Sequence, residues 1–156
     1  MVKVKHTVKL VETAYKYLDT CEEPKGSNRG PLIDRWLKAL GAPLGSAWCA
    51  AFVWGMLDEV GETSTLKRSG RVQTMVDSGR LLPADKAVLG DLVVFYFPKL
   101  QRYAHIGIVV GKTPKRLDVI EGNGIADGAV GDQREGYGVV KKSRLISDRI
   151  KVLRQA

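Results

Sequence analysis

Three residue types in this chain could together perform acyl transfer: a cysteine, a histidine, and a carboxylate or amide. Cys49 follows a breaker-rich run, Gly41-Ala42-Pro43-Leu44-Gly45, and precedes apolar residues at helical spacing, Phe52, Val53, Met56, Leu57 and Val60. Ser46 is placed to cap that helix and Gly61 to end it. Cys49 then falls in the first turn, where free backbone N–H groups and the macrodipole favour a thiolate. Taken alone, a buried structural cysteine is the plainer reading.

A cysteine nucleophile needs a base. His6 lies near the chain end, whereas His105 lies within an apolar strand, Ala104 to Val110. Alternation puts Ala104, Ile106, Ile108 and Val110 on one face and His105, Gly107, Val109 and Gly111 on the other. Glycines beside the histidine leave room for a helix or a substrate to approach. A third group should orient the imidazole. Glu121 and Asn123 close the next strand, two residues apart, so either could reach the ring if the two strands pair through the turn at Gly111.

The elements that must position these groups come as helices first and strands after. Val8, Val11, Ala14, Tyr15 and Leu18 predict an amphipathic helix over 7–18, capped by Thr7. Asp19 to Gly30 is a polar, turn-rich loop, long for a plain connector. Pro31 starts a second helix whose apolar face is Leu32, Ile33, Trp36, Leu37 and Leu40, ended by Gly41. The cysteine helix follows to about Val60, then a short helix from about Gly70 to Asp77, closed by Gly79. Strands are expected at Leu92–Phe97, 104–110, 117–121, 137–145 and 150–153, with a glycine-rich, flexible stretch over 126–136. This order predicts an α+β fold with an antiparallel sheet of about five strands in one domain.

The 156 residues are 44% hydrophobic and 27% charged, as in soluble globular proteins. No apolar run approaches the roughly 18 residues of a membrane span. The net charge of +8 favours anionic partners. Its basic residues are dispersed, with clusters at Lys67-Arg68, Lys112 to Arg116 and Lys141 to Arg144, each also readable as solvated surface. Cys21 and Cys49 read as free thiols, and the cysteines and histidines lack zinc spacing. No apolar segment follows the basic start, so no export signal is expected.

The four motifs together resemble a CHAP domain, within the NlpC/P60-like group of papain-fold peptidoglycan hydrolases. The resemblance rests on Gly45-Ser46-Ala47-Trp48-Cys49-Ala50-Ala51-Phe52-Val53, Gly90-Asp91-Leu92-Val93-Val94-Phe95, Ala104-His105-Ile106-Gly107-Ile108-Val109 and Ile120-Glu121-Gly122-Asn123. Glu22 and Gly26-Ser27-Asn28-Arg29-Gly30-Pro31 are similar to the lead-in of phage members. The resemblance runs from about Glu22 to Val140. It implies an amidase or endopeptidase cutting amide bonds of bacterial peptidoglycan, with Cys49 as nucleophile, His105 as base, Glu121 as its orienting group and Asn123 as a fourth polar member. Trp48 is a neighbour that walls the groove or simply packs, and Asn28 and Ser46 are candidates for substrate binding or a second oxyanion donor.

Some family members bind calcium through aspartates before the cysteine. Here Gly41 to Trp48 has no acidic residue, so no metal or other cofactor is expected. Expected partners are peptidoglycan and, by charge, anionic wall or outer-membrane polymers, with no specific nucleic acid and a monomeric state. The enzyme would be made in a host cytoplasm and reach the wall after release or delivery. Two rival readings are a non-catalytic module binding peptidoglycan or nucleic acid, and a cysteine amidase acting on a non-wall amide.

Overall fold

A computed structural model describes residues 2–124 and 136–156. The glycine-rich stretch expected at 126–136 lies, but for its last residue, outside them. Four helices come first: α1 (Val2–Lys16), α2 (Pro31–Leu40), α3 (Cys49–Val60) and α4 (Val72–Asp77). Six strands follow: β1 (Gly79–Pro83), β2 (Leu92–Phe97), β3 (Arg102–Lys112), β4 (Arg116–Gly124), β5 (Gly138–Leu145) and β6 (Ile150–Gln155). They form one antiparallel sheet in the order β1-β6-β2-β3-β4-β5.

The fold is therefore α+β, with one strand more than expected. The extra strand is β1, where Gly79 opens a strand rather than closing a helix, and Leu81-Leu82-Pro83 pairs with β6. Its residues are only half-buried or exposed, so the sequence carries no apolar alternation to announce it. Pro83, at the strand's end on the sheet edge, also reads as a breaker.

Helix α1 begins at Val2, so Thr7 lies inside it and is not a cap. No glycine or proline interrupts residues 2–7, and nothing there stops the helix. Its inward stripe meets expectation only in part. Leu10, Thr13 and Ala14 are buried, whereas Val8 and Tyr15 are exposed. Ala14 is buried as expected and Val11 and Leu18 pack partly against the core, whereas Leu10 and Thr13 take the inward places expected of Val8 and Tyr15. Helix α2 has the predicted bounds, with Pro31 first and Gly41 capping in the left-handed region at φ 73°.

Eight of the twelve residues of α3 are buried. It packs against α1, α2, β3 and β4, so it is apolar around most of its circumference. The sheet is buried on both faces, which explains the unbroken apolar run of β2. Leu92 and Val94 join Ile106, Ile108 and Ile120 against the helices. Val93 and Phe95 join Val109, Val119 and Val152 in a second core, closed by Ala84 and Ala87. The predicted alternation in β3 holds: Ile106, Ile108 and Val110 face the helices, Val109 the other core. No described helix is long and apolar enough to cross a membrane.

Candidate active site

Cys49 is the first residue of α3 and is 5% exposed. Trp48 occupies the N-cap position, and no side chain caps the helix. Ser46 does not serve that role, because its hydroxyl donates to the Pro43 carbonyl instead. The first-turn N–H groups, which have no intrahelical acceptors, are thus left without a capping side chain. Cys49 and Cys21 are both free thiols, Cys21 on the surface.

His105 is 1% exposed and sits beside a bulge. Phe95 pairs with His105 and Tyr96 with Tyr103, so Ala104 is the extra residue on β3. A bulge bends its strand and re-aims neighbouring side chains. The imidazole lies against the Phe95 ring, centroids 5.4 Å apart. Its Nε2 is 2.7 Å from Glu121 Oε1, with both groups buried. Nδ1 completes no hydrogen bond among the described residues. With Nε2 committed to Glu121, Nδ1 is the nitrogen left for the Cys49 thiol, which pulls the imidazole toward its charged form.

The electrostatics of the pair follow from opposing effects. Burial, the largest single influence, would push the imidazole pKa down. The Glu121 charge, the nearby Cys49 thiol, the hydrogen bond to the Glu121 carboxylate and the Cys49 charge outweigh it and raise the value to about 9. For Glu121, burial would push the carboxyl up. The His105 charge and hydrogen bond, with those of Arg144, instead lower it to about 2. At neutral pH the pair is therefore imidazolium and carboxylate.

Two features behind this pair depart from the sequence reading. Arg144 of β5 donates through Nε to Glu121 Oε2 at 2.8 Å and through Nη2 to Oε1, and its guanidinium lies 4.6 Å from the Phe95 ring centroid. In the sequence it is one member of a dispersed basic cluster, with nothing to mark it as inward. The second feature is Gly107. A Cβ there would lie 2.4 Å from Val119 Cγ1 and 2.8 Å from Glu121 Cγ. The space beside the histidine thus admits side chains of the neighbouring strand, rather than the helix or substrate expected there.

Of the two candidates for orienting the ring, Glu121 takes Nε2. The alternation that would place Asn123 beside it is broken. The β4–β5 register shifts between Glu121 and Gly124, and Asn123 adopts φ 61°. Asn123 is fully buried, and its carbonyl accepts from the Gly136 N–H at 2.8 Å.

Trp48 is fully buried and stacks on Trp36 at 6.1 Å, so it packs beneath the site rather than walling a groove. Its Nε1 donates to Glu22 Oε2 at 2.8 Å. Glu22 is itself buried, and its other oxygen accepts from the N–H groups of Gly26 and Asn28 at 2.9 and 3.1 Å. One carboxylate thus folds the long loop and fastens it to the residue before Cys49. The signal for it is an acid inside a turn-rich loop of unusual length. Asn28 braces the same region, its Nδ2 donating to the Gly45 carbonyl at 3.1 Å.

A cleft of about 250 Å³ opens onto Cys49, bounded by Ser46, Ala47, Arg71, Arg102 and Ala104 among others. A second hollow of about 410 Å³ shares Ser46, Ala47 and Gly70 with it and extends toward Leu40 and Arg68. Comparison of the chain with protein-family models and with curated proteins returns no match.

Proposed function

We propose that the protein is a cysteine-dependent peptidoglycan hydrolase of papain-like, CHAP type, acting as an N-acetylmuramoyl-L-alanine amidase or as a stem-peptide or cross-bridge endopeptidase. The observation that carries the reading is the buried Glu121–His105 pair whose second ring nitrogen is left for a thiol at the start of a helix. That is the arrangement a cysteine nucleophile requires: a base, a group that orients it, and a positive helix end at the sulfur. The sequence motifs supply the choice of peptidoglycan.

The chemistry then runs as follows. An imidazolium at His105 accompanies a thiolate at Cys49. The sulfur attacks the scissile carbonyl carbon, and the developing oxyanion is met by first-turn N–H groups of α3. The C–N bond breaks as His105 gives its proton to the leaving amine. Water then loses a proton to His105, and its oxygen attacks the thioester. The C–S bond breaks, releasing a carboxylic acid product and restoring the ion pair. Glu121, clamped by Arg144, holds the ring in register throughout. The protein acts on the wall as a monomer, after release or delivery from the cell that makes it.

The test is digestion of purified sacculi followed by mass spectrometry of the fragments. The wild-type chain is expected to create new termini at one type of amide bond. Cys49→Ala is expected to create none while retaining its circular-dichroism spectrum and unfolding midpoint. Full activity in Cys49→Ala, or no new termini from the wild type, overturns the proposal. In the latter case a binding module or an enzyme for another amide takes its place.

A further inference from the structure

The cleft beside Cys49 is lined by two cations and no acid: Arg71, at the entrance to α4, and Arg102, the first residue of β3. Their surroundings separate them from four other arginines. Arg29, Arg68, Arg144 and Arg154 are each held by a carboxylate, of Asp34, Asp58, Glu121 and Asp91 respectively. Arg68 in the adjoining hollow is paired through both terminal nitrogens, which spends its charge within the protein. Among the described residues, the guanidiniums of Arg71 and Arg102 make no hydrogen bond or ion pair. Arg71 is exposed and Arg102 half-buried, so both are open to a ligand.

We infer that Arg71 and Arg102 form a carboxylate-binding subsite, which selects substrates carrying a free carboxylate close to the amide that Cys49 attacks. Guanidinium remains charged at every working pH, and its planar donors match a carboxylate two at a time. The other groups at this wall, Ser46, Ala47, Gly70, Val72 and Ala104, are small or uncharged and offer no competing anion. This rests on the peptidoglycan reading and deepens it: a stem peptide with its carboxylates free is a substrate, and one with those carboxylates amidated is a poor one.

The experiment separates binding from turnover. Calorimetry on Cys49→Ala compares a stem tetrapeptide with free carboxylates and the same peptide with every carboxylate converted to carboxamide. The free form is expected to bind at least about tenfold tighter, the scale of one charge-assisted hydrogen bond. Adding Arg71→Gln and Arg102→Gln is expected to reduce the preference to about twofold or less. Arg35→Gln, an exposed arginine of α2 away from the cleft, is expected to leave it intact. Equal affinity for the two peptides, absence of binding to either, or a preference that survives the double substitution overturns the subsite. Digestion of sacculi by the wild type reports on the hydrolase reading independently.

Discussion

Glu121 concentrates the site's energetics in one side chain. It is fully buried, accepts from His105 and Arg144, and has no water-facing route for its charge. Removing one partner of such a buried set leaves the others uncompensated, typically costing about 3–5 kcal/mol. Linkage gives the pH window. The Glu121 carboxyl is lowered from 4.5 to about 2, so its stabilisation is complete above 4.5 and lost as pH falls through 2. The imidazole is raised from 6.5 to about 9, so its contribution is complete below 6.5 and lost as pH rises through 9. Both are complete between about 4.5 and 6.5, and unfolding midpoints are expected to be highest there. An NMR titration is expected to place the His105 midpoint near 9 in the wild type and well below that in Glu121→Gln. An unchanged midpoint in Glu121→Gln means that the carboxylate does not govern the ring.

Elements matter here for how closely they approach one another. Strand β4 lies against α3 at Gly122, where a Cβ would fall 2.5 Å from Phe52 Cβ, and against β3 at Gly107. The second contact sets the geometry of the His105–Glu121 pair, since the methylene of Glu121 crosses the place a side chain at 107 would fill. Gly107→Ala is expected to displace Val119 and Glu121, costing about 1–3 kcal/mol as overpacking does. It is also expected to lower kcat more than KM in sacculus digestion, because the orienting group moves while the cleft stays. Wild-type rates would show that the strands absorb the methyl without disturbing the pair. The Gly90-Asp91 motif has a different task. Asp91 accepts from the Val88 N–H and pairs with both Nε and Nη2 of Arg154 of β6, fixing the turn into β2. It shapes the sheet rather than the chemistry.

At the scale of the molecule, a charge of +8 covers a chain of 156 residues. Part of the charge is internally paired, and under the proposed function the excess draws the protein toward anionic wall polymers. Wall affinity and lysis rate are expected to fall as salt rises from about 0.05 to 0.5 M, as the Debye length shrinks several-fold. Turnover of a small soluble peptide is expected to change far less, since its capture depends on contacts inside the cleft. A lysis rate indifferent to salt would remove charge from the account of how the protein finds its substrate.

Local chemistry determined most of what the sequence made legible. Proline and glycine bounded α2, helical spacing placed α3 with Cys49 at its start, and β-rich runs located β2 to β6. Two-residue alternation put His105 on the face opposite Ile106 and Ile108. These are properties of neighbouring residues, and neighbours are what a sequence displays. Only the tertiary structure decided the rest, because each remaining feature joins residues far apart in the chain. It chose Leu10 and Thr13 over Val8 and Tyr15 as inward positions of α1. It turned Trp48 inward onto Glu22, 26 residues away. Glu121 rather than Asn123 met the ring because a bulge and a left-handed residue broke the alternation of β4. Arg144 joined them across 23 residues. Cys49 and His105 were visible as candidates from their own helix and strand, but the charge of the imidazole depends on how three strands and one helix come together.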